Sequence, residues 1–195
     1  MLFRFQTGIV AALPSPYDCQ TRKLINTYTM PLLRGQYIIA MPDMLVKLYE
    51  LPPIESLLAQ HAANGVDIRR ALPPEKHVII PWIKEHFNPR WVSECEVAIA
   101  RKPATCFVAI ENGNLLGFAC YDVVRPNIFG PTGVHDSQRG RGLGKVLLLA
   151  CLHNMAAQGY AYAIIGGVGP ADFYHKVVGA VEIEGSTPGI YRGML

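Results

Sequence analysis

The stretch from Gly133 to Asn154, GVHDSQRGRGLGKVLLLACLHN, limits the fold more than any other part of the chain, because glycines and basic residues run directly into a long apolar segment. Gly140, Gly142 and Gly144 alternate with Arg141 and Leu143, so the backbone can bend tightly there and leave amides exposed. From Leu143, apolar residues recur at Val146, Leu147, Ala150, Cys151 and Met155. That is the spacing of one buried helix face, and it predicts a helix that runs until Gly159 stops it. The first turn of such a helix has N–H groups with no internal partner, and its dipole favours negative charge, so a diphosphate fits in front of it. Arg139, Arg141 and Lys145 can add charge, whether or not all three side chains point inward.

Two other glycine motifs fail on this run. A Walker loop needs a glycine five residues before its final Gly-Lys and a hydroxyl after the lysine, and those positions hold Arg139 and Val146. A dinucleotide fingerprint starting at Gly140 needs a glycine where Lys145 stands. ATP and NAD are therefore poor first choices, and an ordinary strand-to-helix turn with solvent-facing arginines is the plain alternative.

Arg139-Gly-Arg-Gly-Leu-Gly144, preceded by Gly133-Val-His-Asp136 and followed by the apolar helix, resembles the acetyl-CoA signature of the GCN5-related N-acetyltransferase (GNAT) superfamily. The resemblance extends more weakly over about residues 44–195 and does not cover the first forty or so. It implies an α/β, GNAT-like (acyl-CoA N-acyltransferase) fold with a mixed central sheet flanked by helices. It implies acetyl-CoA as the acyl donor, its pyrophosphate held by the amides of Arg139, Gly140, Arg141, Gly142, Leu143, Gly144 and Lys145. Its pantetheine arm is expected at the preceding strand end, Thr132, Gly133 and Val134. Strands at about 128–134 and 160–165 are expected to splay apart around that arm.

Phe173-Tyr174, five residues before Gly179-Ala180, resembles the family's Phe-Tyr and Gly-Phe arrangement, whose tyrosine often stands beside the coenzyme sulfur. Phe173 is accordingly expected at the cofactor and Tyr174 as the acid that protonates the departing thiolate. A core tyrosine with its hydroxyl on a carbonyl is the alternative. The asparagine usual before this segment is missing, and the neighbourhood reads Gly167-Val-Gly169-Pro170. Direct attack on a thioester also needs a neutral amine, whereas a free alkylammonium has a pKa of about 10.4. Residues 128–133 contain no carboxylate. His135 has a suitable ordinary pKa near ~6.5, although it is equally placed to cap the turn. Asp122, Tyr121, Glu85 and a water chain are other possibilities for the base. No His and acidic residues have a convincing metal spacing, so no metal is expected.

Half of the residues are apolar, 17% are charged and the formal net charge is +3, with no run of lysine and arginine longer than two. Such a small, dispersed excess makes no case for nucleic acid or a membrane surface. The five cysteines, Cys19, Cys95, Cys106, Cys120 and Cys151, are scattered, which suggests reduced thiols and a cytoplasmic setting. Cys106, Cys120 and Cys151 read as small core residues. The expected activity is transfer of an acetyl group to the amine of a small soluble molecule in a ternary complex. A non-catalytic coenzyme A-binding module and an acyltransferase for longer chains are the alternatives, and a homodimer is left open.

Residues 1–43 read as an N-terminal extension and 44–195 as the transferase domain. Met1–Leu13 is apolar but too short to span a membrane before Pro14 and Pro16, and it lacks a good cleavage pattern for a signal. A short strand is expected within Leu32–Met41. Met44–Leu51 reads as a strand, Ile54–Asn64 as a helix, Pro74 onward as a helix that Pro81 bends or divides, and Pro89–Ala100 as a third helix. Cys106–Ile110 and Leu115–Val124 form a hairpin through Asn112-Gly113, with Phe107, Ala109, Leu116, Phe118 and Cys120 on one face. Ile128–Val134 is the next strand, with a bulge or kink at Gly130-Pro131. Tyr160–Ile165 is a strand, Ala171–Val178 a helix, and 180–183 with 188–194 supply one or two closing strands.

Overall fold

The computed structural model describes residues 29–31, 37–39 and 41–194. The chain divides into two units, Met1–Ala40 and Met41–Leu195. In the first, β1 (Thr29–Pro31) and β2 (Tyr37–Ile39) pair antiparallel, with Met30 opposite Ile38. The expectations for Met1–Leu13 and for Cys19 lie outside the described residues.

The second unit is a mixed sheet with helices on both faces. Its strands are β3 (Met44–Lys47), β4 (Val66–Arg70), β5 (Cys106–Glu111), β6 (Asn114–Tyr121), β7 (Ile128–Val134), β8 (Tyr162–Ile165) and β9 (Val181–Glu182). Its helices are α1 (Glu55–Ala63), α2 (Lys76–His86), α3 (Pro89–Ala100), α4 (Leu143–Ala157) and α5 (Ala171–Val178). The sheet order is β4-β5-β6-β7-β8-β3-β9, and every neighbouring pair is antiparallel except β7 with β8. One core lies between the sheet and α4, a second beneath α2 and α3.

The β5–β6 hairpin turns where Asn112 and Gly113 take φ of 50° and 76°, the left-handed pair that a tight hairpin needs. The five residues expected on one face are divided between the two cores. Phe107, Ala109 and Leu116 face α4, whereas Phe118 and Cys120 pack with Cys106 and Val108 under α2 and α3. A bulge is the reason: Ile110 pairs with Leu115 but Ala109 with Gly117, so Leu116 is an extra residue. One inserted residue moves every later side chain to the opposite face.

Strand β4 is a further correction, since no strand is expected there from the sequence. Its polar look comes from Arg69 and Arg70. The Arg69 guanidinium binds Glu75 at 2.5 and 2.9 Å. Arg70 reaches Asn154 at 2.9 Å and lies 5.1 Å from the centre of the Phe107 ring. Helix α2 continues through Pro81 undivided. His77 and Pro81 are both exposed, so the carbonyl left without its usual donor lies on the solvent side. Residues 188–194 form no second closing strand, and Gly189–Tyr191 makes a single 3₁₀ turn instead.

Helix α4 buries far more than one face: Leu148, Leu149 and Leu152 are as buried as Val146, Leu147 and Cys151. The sheet covers one side, and Ile54, Leu57 and Leu58 of the α1 segment cover Val146, Leu149 and Ala150 on another. Each fully buried leucine contributes about 1.5–3 kcal/mol relative to exposure. The helix is thus a rigid post whose N-terminal end carries the glycine turn.

Candidate functional site: a glycine turn at an opened sheet

Strands β7 and β8 pair only at Ile128 with Ile164 and Phe129 with Ile165. Beyond that point Gly130 takes φ of 125°. The register with β6 moves from Tyr121 opposite Phe129 to Ala119 opposite Thr132, one residue too many on β7. That insertion is the expected bulge, and it carries the rest of β7 away from β8. The ladder to β6 continues to the N–H of His135, which donates to Leu116 O at 2.9 Å. Because antiparallel partners alternate, Gly133 and His135 direct their polar groups at β6. The main-chain groups of Thr132 and Val134 therefore face the opened side. The Thr132 hydroxyl is turned the other way and donates to Phe118 O at 3.2 Å. A Cβ on Gly133 would stand 2.5 Å from Phe87 Cζ, so this position has room for hydrogen only.

Past Val134, the turn is held from outside. The Ser137 N–H donates to His135 Nδ1 at 3.2 Å, capping a 3₁₀ turn at Asp136–Gln138. With Nδ1 accepting, the neutral ring carries its proton on Nε2, the donor arrangement. The same ring stands edge-on to His86, with centroids 4.6 Å apart. Arg139 pairs with Asp136 at 2.7 Å. Arg141 binds Glu111 through two bonds of 2.6 and 3.2 Å, and also Gln138. That guanidinium holds the Glu111 carboxyl below the ordinary range. These two arginines thus brace the turn, while Lys145 lies exposed on the first turn of α4.

Gly140 and Gly142 have φ of 81° and 80°, a region that costs other L-residues about 1–2 kcal/mol. The first internal bond of α4 runs from Val146 N–H to Gly142 O at 3.1 Å. The amides of 140–145 take no acceptor among the described residues. A Cβ on Gly140 would meet nothing within 4 Å among the described residues. A run of such amides at a helix N-terminus suits a diphosphate.

The turn and the Phe-Tyr segment meet in space. Phe173 Cζ and Val134 Cγ2 each lie 3.9 Å from where a Cβ on Gly144 would be. Leu143 is buried and anchors the helix start. Tyr174 packs edge-on against Phe173 and Phe129, at 5.0 and 6.4 Å between centroids. Its ring is buried, and its hydroxyl takes no hydrogen-bond partner among the described residues. Burial alone pushes that phenol well above its ordinary value. Gly179, at φ of 63°, ends α5 in the left-handed cap that places Ala180 back in the core.

The other acceptor-side residues have structural partners. Asp122 is buried, accepting from Asn127 N–H at 2.7 Å and Tyr160 Oη at 3.0 Å. Tyr121 Oη bonds Asn154 and Gln158 at 2.5 and 2.7 Å. Glu85 is exposed. Sequence reading passed over three groups. His61 of α1 stands beside Gly142. Glu94 of α3 is partly buried, and that burial raises its carboxyl. The Tyr191 hydroxyl lies 2.9 Å from where a Cβ on Gly166 would be. Burial first, then Glu94 and Asp43, pushes Tyr191 up to about 12. No spacing ties His61 to the glycine turn, so only the fold reveals that approach. Among the described residues no group of His, Cys, Asp and Glu could hold a metal, and no helix is long and apolar enough to cross a membrane.

A split sheet whose opening leads to a run of amides at a helix N-terminus is suited in its chemistry to a long, diphosphate-bearing ligand. The model of the acetyltransferase (GNAT) family matches residues 68–180, more than half of the chain, and the chain belongs to that family. Its fold is similar to that of a GCN5-related glucosamine N-acetyltransferase region in a fungal multi-domain GH3 β-N-acetylglucosaminidase, at 16% identity and a TM-score of 0.62. That match covers 85% of this chain and 22% of the other. A GCN5-related N-acetyltransferase from Kribbella flavida matches with 15% identity and a TM-score of 0.52, over 74% of this chain and 55% of that one. This chain thus spans about a fifth and about half of those proteins' lengths. No curated protein matches it.

Proposed function

We propose that the protein is an acetyl-CoA-dependent N-acetyltransferase that acylates the amine of a small molecule by direct attack in a ternary complex. Family membership supports acetyl transfer in general. The observation that carries the finer reading is the convergence of Val134, Gly144 and Phe173, which joins the amide cradle to the buried tyrosine. The residues fit coenzyme A: the amides of 140–145 for the diphosphate, Thr132 and Val134 main chain for the pantetheine arm, and Phe173 beside it. The bound coenzyme would supply the acetyl group as an activated thioester. Tyr174 keeps its proton, because burial disfavours the phenolate, and its Oη is the group that donates to a developing thiolate. Ring burial beside Phe129 and Phe173 fixes its direction.

Calorimetry with acetyl-CoA tests the reading, followed by coenzyme A release with glucosamine, amino acids and polyamines. A folded sample that binds no acetyl-CoA refutes it. Two observations favour a second reading, a coenzyme A-binding module without turnover. Ile128–Val134 contains no carboxylate, and His135 has its Nδ1 occupied. Acceptor-dependent coenzyme A release would remove that alternative.

A further inference from the structure

Helix α1 lies outside the residues that the family model matches, yet it carries a histidine to the glycine turn. His61 is 6% exposed. Its ring takes no hydrogen-bond or ion-pair partner among the described residues. The ring is aimed at the turn: Nε2 lies 3.7 Å and Cε1 4.0 Å from where a Cβ on Gly142 would be. Among the described residues the one fully buried side-chain polar atom without a partner is Thr105 Oγ1, so the ring nitrogens of His61 stay open to a ligand at the turn although most of the side chain is buried. The ligand that the adjoining unpartnered amides of 140–145 call for is an anion.

We propose that His61 is a binding residue for the coenzyme A diphosphate, its Nε2–H donating to a phosphate oxygen held against Gly142, with a second proton taken up at Nδ1 from solvent as the anion binds. The inference rests on the coenzyme A reading above and adds to it a contact from outside the family-matched region. In the free protein the ring is held below its ordinary pKa, by burial first and by Arg141 second. Charged groups on the surrounding elements are Glu55 on α1, Asp67 and Arg69 on β4, and Arg141, Glu111 and Lys145 around the front of α4. Arg141 is largely neutralised by its two bonds to Glu111. A bound diphosphate would raise the imidazole pKa. The complex then binds more protons than the free protein, so affinity tightens as pH falls between the lowered free value and the raised bound one. The slope is at most about tenfold per pH unit, and affinity levels off above that window.

Coenzyme A and 3′-dephospho-coenzyme A are titrated calorimetrically into the parent and into His61→Gln from about pH 5.5 to about pH 8, in two buffers of different ionisation enthalpy. The expected result is proton uptake with both ligands in the parent. In His61→Gln the uptake is lost, and affinity falls roughly 5- to 10-fold at the acid end, within the range of one charge-assisted hydrogen bond. Uptake with coenzyme A that vanishes with the dephospho form would place the contact on the 3′-phosphate and overturn the assignment. Equal affinity and equal uptake in parent and variant would overturn it too, leaving the coenzyme A reading intact. A parent that binds neither ligand sinks both. Should His61→Gln fail to fold, the sequence-assigned Cε1 proton of His61 in the parent, titrated with and without coenzyme A, decides the matter. Its pKa must rise on binding, and an unchanged value refutes the proposal.

Discussion

Replacing Tyr174 by phenylalanine separates catalysis from packing more sharply than any other single change in this site. A core tyrosine bonded to a carbonyl would lose stability on the change, because the carbonyl would be left unsatisfied at a cost of about 1–3 kcal/mol. The Tyr174 hydroxyl has no such partner among the described residues, and its ring contacts to Phe129 and Phe173 survive in phenylalanine. Folding stability should therefore hold within about 1 kcal/mol, which for a domain of this size is a melting shift of no more than about 2–4 °C. Acetyl-CoA affinity should also hold. If the hydroxyl assists the departing thiolate, single-turnover acetylation falls roughly 10- to 100-fold, or about 1.4–2.7 kcal/mol of transition-state stabilisation. Burial raises the phenol above its ordinary value. Its ionisation should thus impose no alkaline loss of turnover below about pH 10. A Tyr174→Phe protein that folds, binds and transfers at the parental rate would falsify the acid assignment. A variant that loses several kcal/mol would show instead that the hydroxyl has a structural partner.

Gly142→Val forces a β-branched residue to φ of 80°. With at least about 1–2 kcal/mol of strain available to re-aim the following amides, coenzyme A affinity should fall at least about tenfold, and calorimetry giving a parental value counts against the amide cradle. Gly133→Ala puts a methyl 2.5 Å from Phe87 Cζ, an overpacking of about 1–3 kcal/mol and a melting loss of roughly 2–12 °C. Phe87→Ala should behave non-additively with it in a double-mutant cycle, and strict additivity would deny the clash. Arg69 holds the Glu75 carboxyl down at about 2. The stability this gives is present above the ordinary glutamate range and lost as pH falls toward that value. Glu75→Gln should therefore flatten the acid limb of a urea-midpoint profile, and an unchanged limb rejects the linkage. Burial raises the Cys95, Cys120 and Cys151 thiols, so peptide-resolved alkylation should label them only on unfolding, and rapid labelling of the native protein contradicts their core placement.

Local chemistry was enough to read the elements on which the site is mounted. The glycine turn, the α4 helix behind it and the Asn112-Gly113 hairpin follow from dihedral preference and apolar spacing, which act over a few residues. The Asn88-Pro89 start of α3 does as well, its Asn88 Oδ1 accepting from Trp91 N–H at 3.1 Å. The bulge at Gly130-Pro131 was legible for the same reason. What tertiary structure decided are relations between residues far apart in the chain. Strand β4 is disguised by two arginines whose partners, Glu75 and Asn154, lie elsewhere. The face taken by Phe118 depends on the extra residue Leu116, which is visible only against the register of β5. The side chains of Arg139 and Arg141 look like phosphate ligands beside a glycine turn, yet one pairs with Asp136 and the other with Glu111 across the hairpin. The approach of His61 to Gly142 depends on how α1 docks against Val146, Leu149 and Ala150. Packing of that kind is a property of two surfaces together, and no periodicity along one segment encodes which other segment it will meet.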